Sequence, residues 1–150
     1  MEHIGAETAL DDPTLDALER LAMGSVAVTE RAIAAAGTDL TFVQWRVLLI
    51  VGESGAGATV GEIAARIGAH ASPASRLVSR LRRRGIVQAA RDPTDRRVTR
   101  VRLTAMGGDL RRRVLEHRRR ELGRVAARIV QQQAGRTLLD HLARAMEDVA

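Results

Sequence analysis

Between residues 13 and about 36 the apolar positions Leu15, Leu18, Ala22, Val26 and Ile33 recur every three or four residues, with Thr29 in phase. That spacing places them on one face of an amphipathic helix. Asp12 ahead of Pro13 gives an N-cap with proline at the first helical position, and Gly37 ends the run. From 40 to 51 the pattern is apolar nearly all round, which predicts a buried central helix. Thr41 and Gln44 open it in the spacing of a capping box. The stretch 52–58, GESGAGA, is rich in glycine but lacks the G-x-x-x-x-G-K-[ST] order of a phosphate loop, so it reads as a connector.

Thr59 and Glu62 form a second capping box ahead of a short helix with Ile63, Ala64 and Ile67 inward and Gly68 as its stop. The next helix begins at His70 or at Ser72. Ser72 is the better cap by residue type and puts Pro73 at the first helical position. His70 puts Pro73 at the third, where a missing N–H also breaks no helical bond. The helix runs to Arg84 with Gly85 as its stop. Leu77, Val78 and Leu81 turn inward, leaving Ser75, Arg76, Ser79, Arg80 and Arg83 for the outer face. Two strand candidates, 86–91 and 98–103, flank the turn signal Asp92-Pro93-Thr94-Asp95. Thr104 caps a long helix over 105–130 with Leu110, Val114, Leu122, Val125 and Ile129 on one face; 131–135 break it, and a last helix follows over about 136–149.

This order is that of a helix-turn-helix followed by a β-wing: a mainly α fold with one small hairpin. The chain is expected to be a single domain over 1–150, with a DNA-binding region at about 40–104 and flanking helices at about 13–36 and 105–149. Those flanking helices carry apolar stripes that a small winged domain alone would not cover. The economical cover is a homodimer in which the first and last helices of two subunits interleave.

Charge sharpens the picture. The net charge is +6, but residues 71–120 hold 16 of the 24 basic residues and 4 of the 18 acidic ones, so the middle is strongly basic and the flanks acidic. A polyanion-binding surface therefore belongs in the middle. Every basic residue is arginine. Arginine suits bidentate contacts to phosphate and guanine, although the accompanying wealth of Ala and Gly fits a compositional bias equally well. With Phe42 and Trp45 as the sole aromatics, stacking platforms for single strands or RNA are excluded. The lack of cysteine excludes disulfides, thiolate metal sites and thiol redox switches. No apolar run approaches the ~20 residues of a membrane span and no leader pattern opens the chain, so a cytoplasmic protein is expected.

The pieces, in order, resemble the MarR-type (multiple antibiotic resistance regulator) winged helix-turn-helix transcription factors over about 13–149. The matching motifs are Leu40-Thr41-x-x-Gln44-Trp45 in the central helix, the run from Thr59 to Gly68, the recognition-helix run from Ser75 to Val87, and Asp92-Pro-Thr-Asp95-Arg-Arg97 with Leu103-Thr104 in the wing. The resemblance implies an obligate dimer on a pseudo-palindromic site of double-stranded DNA, often a repressor released by a small effector. It also implies that Asp95 and Arg97 form the pair that stabilises the wing turn. The oxidant-sensing branch of the family is not implied, because this chain has no cysteine.

A recognition helix presents its N-terminal half to base edges in the major groove. Ser72, Ala74, Ser75, Arg76, Ser79 and Arg80 are therefore the candidates there, with Arg83 beside them. Arg96 is expected to enter the minor groove from the wing tip, and Arg97 to join Asp95 and a nearby phosphate. Arg82, Arg84, Arg91, Arg100 and Arg102 read as phosphate neutralisers or solvated side chains. The triplets 111–113 and 118–120 read as a solvated face or as dimer pairing.

No nucleophile motif, H-E-x-x-H or cofactor fingerprint is present, so neither an enzyme nor a cofactor is expected. His117 and Glu121, one helical turn apart, would need two further ligands to hold zinc, and His141 has no evident partner. An effector cavity is expected near Trp45 and the first helix, for a small or aliphatic ligand if for any. Two other classes stay open: a nonspecific nucleoid binder, which would show salt dependence without sequence preference, and a winged helix used for protein contacts.

Overall fold

The computed structural model describes residues 12–53, 55–92, 94–95, 97–130 and positions 137, 140, 141, 143 and 144. The expected last helix, about 136–149, falls largely outside them, as does Arg96. The described elements run α1 (Asp12–Ala35), α2 (Phe42–Glu53), α3 (Val60–Ile67), α4 (Ala71–Arg83), β1 (Val87–Arg91), β2 (Thr99–Leu103) and α5 (Ala105–Val130). The fold is a helix-turn-helix followed by a two-stranded antiparallel wing and set on long helices.

α2 is the centre of the core. Trp45, Val47, Leu48, Ile50 and Val51 are all buried, and they pack with Ile63 of α3, Val78 and Leu81 of α4, Val101 of β2 and Val114 of α5. Each such aliphatic or aromatic side chain stabilises the fold by about 1.5–3 kcal/mol through burial. The start of α2 is locked by a reciprocal cap: the Thr41 amide donates to Gln44 Oε1 at 3.0 Å and the Gln44 amide to Thr41 Oγ1 at 3.3 Å. α3 opens on the same device, Thr59 with Glu62, and closes on Gly68 in the left-handed conformation at φ 70°.

Of the two starts open for the recognition helix, the structure takes His70. Its backbone is extended (φ −75°, ψ 161°) and its side chain makes no capping bond. Pro73 thus stands at the third helical position, where its missing N–H breaks nothing.

β1 and β2 pair in the register Val87↔Leu103 through Arg91↔Thr99. Ala58, in the loop before α3, adds a one-residue bridge on the outer side of β2: its amide donates to the Val101 carbonyl at 3.0 Å and its carbonyl accepts from the Val101 amide at 2.7 Å. The strand edge comes so close at Gly57 (φ +81°) that a β-carbon would run into the Val101 carbonyl.

α5 is anchored where the recognition helix ends. The Thr104 hydroxyl lies 2.6 Å from the Gly85 carbonyl, the Thr104 amide donates to the Ile86 carbonyl at 3.1 Å, and the Gly107 amide donates back to Thr104 Oγ1 at 3.1 Å. Farther along, Arg118 Nε donates to Thr29 Oγ1 of α1 at 3.1 Å, and Thr29 in turn donates to the Ser25 carbonyl at 2.9 Å. Arg118 therefore ties α5 to α1, a role that neither reading of its triplet foresaw. Leu15 and Leu18 of the apolar stripe of α1 and Val125 of α5 remain exposed, as does Leu21, so part of that stripe finds no cover among the described residues.

Candidate nucleic-acid interface

On α4 the inner face is set by Ala74, Val78 and Leu81, all buried. The spacing of four and then three residues is that of one helical face. Ala74 was expected to reach base edges, but it is 0% exposed and packs inward; it is withdrawn from the interface. Its phase with Val78 and Leu81 was the signal that position along the helix alone could not supply.

Ser72, Ser75, Arg76, Arg80 and Arg83 stand exposed on the opposite side, and Ser79 is half-buried at its margin. Arg76 donates to Ser72 Oγ at 3.0 Å, one turn back, which holds the guanidinium toward the N-terminal end of the helix. A small cleft of about 150 Å³ separates α4 from the wing; Ser75, Ser79, Arg82, Gln88 and Thr99 line it.

The wing turn is organised by Asp92, which is 7% exposed. Its Oδ1 accepts from the Thr94 amide at 2.8 Å, the Thr94 hydroxyl at 2.6 Å and the Asp95 amide at 3.2 Å. Its Oδ2 accepts from Arg100 Nε. Asp95 also contributes: its carboxylate accepts from the backbone amide of Arg97 at 2.9 Å and its carbonyl from the Val98 amide at 3.0 Å. The bond between Asp95 and Arg97 is thus made to the backbone, and among the described residues no ion pair joins their side chains. The Arg97 side chain is exposed.

Hydrogen bonds from Arg100 and then from Thr94 hold the Asp92 carboxyl well below the usual carboxylate range. Bonds from Thr59, with the nearby Arg100 charge, hold Glu62 below its ordinary value as well. A carboxyl depressed in the folded state contributes stability that is complete above its unfolded value, about pH 4, and that is lost as pH falls through the folded one. The wing turn is therefore expected to stay closed across neutral pH and to open only in strong acid. Asp92→Asn is expected to flatten the acid limb of an unfolding titration and to leave the profile between about pH 6 and 8 unchanged. An unaltered acid limb in that variant would show that Asp92 carries no proton linkage.

Three arginines assigned above to phosphate or solvent are engaged inside the protein. Arg100 faces Asp92 and lies 3.5 Å from Glu62 Oε2. Arg84 pairs with Asp39 and reaches Gln44 Oε1 at 3.4 Å, which ties the end of α4 to the start of α2. Arg102 Nε donates to the Ala56 carbonyl at 3.0 Å. Trp45 is 1% exposed within the core and does not border the open cleft of about 410 Å³ at the α1–α2 corner, which Ile33, Thr38, Asp39, Thr41 and Phe42 help to line. Glu121, one turn from His117, pairs with Arg124 at 2.6 Å. Among the described residues no three His, Asp or Glu side chains gather as a metal site, and no described helix is long and apolar enough to cross a membrane.

Residues 38–98 match the sequence model of the MarR family. Over 69 residues the chain is 39% identical to the HTH-type transcriptional repressor IacR of Pseudomonas putida, a stretch that covers 46% of this chain and 41% of that relative. The likeness thus spans less than half of the relative's length. The structure superposes on RV1404 from Mycobacterium tuberculosis with a TM-score of 0.80 at 28% identity, covering 95% of this chain and 97% of the other. It superposes on CouR from Rhodococcus jostii RHA1, a crystal structure bound to p-coumaroyl-CoA, with a TM-score of 0.77 at 24% identity and 95% of each chain covered.

Proposed function

We propose, from the match of residues 38–98 to the MarR family model, a homodimeric, sequence-specific regulator of transcription of that family that binds double-stranded DNA and represses until a small effector releases it. The observation that carries this reading is the outer face of α4. Ser75, Arg76, Arg80 and Arg83 lie exposed on one side of a helix whose other side buries Ala74, Val78 and Leu81, and the wing projects beside it.

With α4 in the major groove and the wing in the adjacent minor groove, the intervening strand of phosphates crosses the cleft lined by Ser79, Arg82, Gln88 and Thr99. Ser72, Ser75, Arg76, Ser79 and Arg80 then face base edges, Arg83 faces the backbone, and Arg97 extends from the wing, with Arg96 proposed from the sequence for the minor groove. Dimerisation is supported by the exposed leucines of α1 together with Val125 of α5. A second copy would cover them and would set two recognition helices about 34 Å apart, one turn of the duplex. The likeness to the IacR repressor supports repression. The effector reading rests on the family and on the open α1–α2 cleft. The p-coumaroyl-CoA seen in CouR sets no ligand for this chain, because the likeness at 24% identity is one of fold.

The test is fluorescence anisotropy on the DNA just upstream of the gene, against a shuffled duplex, at about 150 mM salt. Preference for the native duplex by ~10³ or more establishes a specific regulator. Equal affinity for both with a steep salt slope would point to a nonspecific binder instead.

A further inference from the structure

Arg100 directs its charge into the protein. Its Nε donates to Asp92 Oδ2, and one terminal nitrogen lies 3.4 Å from the Gly57 carbonyl and 3.5 Å from Glu62 Oε2. Asp92 is the hub of the wing turn. Glu62 is the third residue of α3, and its Oε2 already accepts the Thr59 amide at 2.7 Å. One guanidinium thus joins the turn at the wing tip to the start of the helix-turn-helix, across 38 residues of sequence.

The backbone ties of the hairpin seen among the described residues lie elsewhere. Its root is held by the Ala58–Val101 bridge and by the Thr104 cap. The strand ladder ends at the Arg91↔Thr99 pair, and the backbone bonds beyond it, from the Asp92 amide to the Val98 carbonyl and from Val98 to Asp95, stay within the turn. The Arg100 side chain links that turn to α3, which packs on the recognition helix.

We propose that Arg100 is a positioning residue for DNA recognition: it fixes the spacing and angle between wing and recognition helix by bridging Asp92 to Glu62, and it does not itself contact DNA. The inference rests on the DNA-binding reading above. A duplex presents its major and adjacent minor grooves in fixed relation, so two probes held on one protein must match that relation to within a fraction of an ångström to make their contacts together. A guanidinium facing two carboxylates has little net charge to offer a phosphate. Arg80 and Arg83, by contrast, pair with no carboxylate among the described residues.

The experiment compares Arg100→Gln, Asp92→Asn and the double variant on a duplex selected by the wild-type protein, with the melting temperature of each variant recorded. A positioning role predicts that both single variants lose affinity alike, by about tenfold or more, and that the double is little worse than either, because one linkage is cut in all three. Hydroxyl-radical protection of the minor groove at the site flanks should vanish while protection of guanine N7 in the major groove from methylation by dimethyl sulfate persists; a merely weakened fold would lose both together. Arg100→Lys, which keeps the charge and loses the fork, should recover affinity only in part. Without DNA, amide exchange at Thr94, Asp95, Arg97 and Val98 should accelerate in both single variants. Wild-type affinity in Asp92→Asn beside a weakened Arg100→Gln would overturn the proposal and make Arg100 a phosphate contact. So would unchanged exchange in both. If the wild-type protein prefers no sequence, the reading as a sequence-specific regulator fails and the role in recognition falls with it, while the exchange arm still reports whether Arg100 holds the wing.

Discussion

Alanine at position 107 is expected to lower the melting temperature by about 5–10 °C, whereas alanine at the next position, 108, is expected to raise it by about 2 °C. The two glycines sit side by side in the first turn of α5 and differ only in what they face. A β-carbon at 107 would overlap the carbonyl oxygen of Ile86 and come within 3.1 Å of its carbonyl carbon. Both are backbone atoms of the segment that leaves the recognition helix, so nothing flexible can move aside. At 108 a β-carbon meets nothing within 4 Å, and the substitution mainly restricts the unfolded chain and improves helix propensity. Thermal unfolding at one fixed protein concentration reads both, since the melting temperature of a dimer depends on concentration. Small shifts of the same sign in the two variants would mean that α5 does not press on the 85–86 turn.

The second large effect concerns DNA. Arg80→Ala is expected to weaken binding to the selected site by at least ~30-fold, because the proposed twofold dimer would lose each contact twice and a bidentate pair to guanine discriminates by about 1–3 kcal/mol. Arg76→Ala should act in the same direction. The two possible targets of each side chain leave different traces. A base contact relaxes the preference at one symmetric pair of positions and leaves other duplexes bound as before. A phosphate contact weakens all duplexes together and lowers the salt slope by about 2 per dimer. Measuring both variants on the selected and the shuffled duplex across salt therefore assigns each arginine. Wild-type affinity and slope in the double variant would remove the outer face of α4 from the interface altogether.

What the sequence made legible was local. α1 ends within a residue of the span its periodicity predicts, since the Gly37 stop is written in the neighbouring residues; the expected cap Asp12 is itself helical, and residue 11 before it lies outside the described residues. The capping boxes of α2 and α3 and the Thr104 start of α5 are likewise written in neighbouring residues. The open choice at the head of α4 was between two caps whose difference lies in residue type against context; context favoured His70, with its N-capping geometry and no side-chain bond. What stayed hidden was long-range. Asp92 reads as a turn former, and its role as a fourfold acceptor depends on Arg100, eight residues on across the hairpin. Arg84 reads as one more cation in a basic run, and its partner Asp39 lies 45 residues away. An arginine paired with a distant carboxylate and one free to meet DNA look the same in a sequence. Ala74 is a different kind of miss, since Val78 and Leu81 already stated the phase of the helix.

The hairpin also has to survive free in solution. A strand with open backbone groups is a template on which another chain can pair, and a protruding hairpin offers two such edges. Here one of them is taken at its centre: Ala58 occupies Val101 on the outer side of β2, and Arg102 reaches back over the same loop to Ala56. The other, along β1, is five residues long and ends in Arg91, short and charged where a growing stack would need length and neutrality. The loop before α3, which reads in the sequence as a bare connector, thereby acts as a guard against edge-to-edge aggregation. It lets a probe stand out in solvent at high concentration without seeding a fibre.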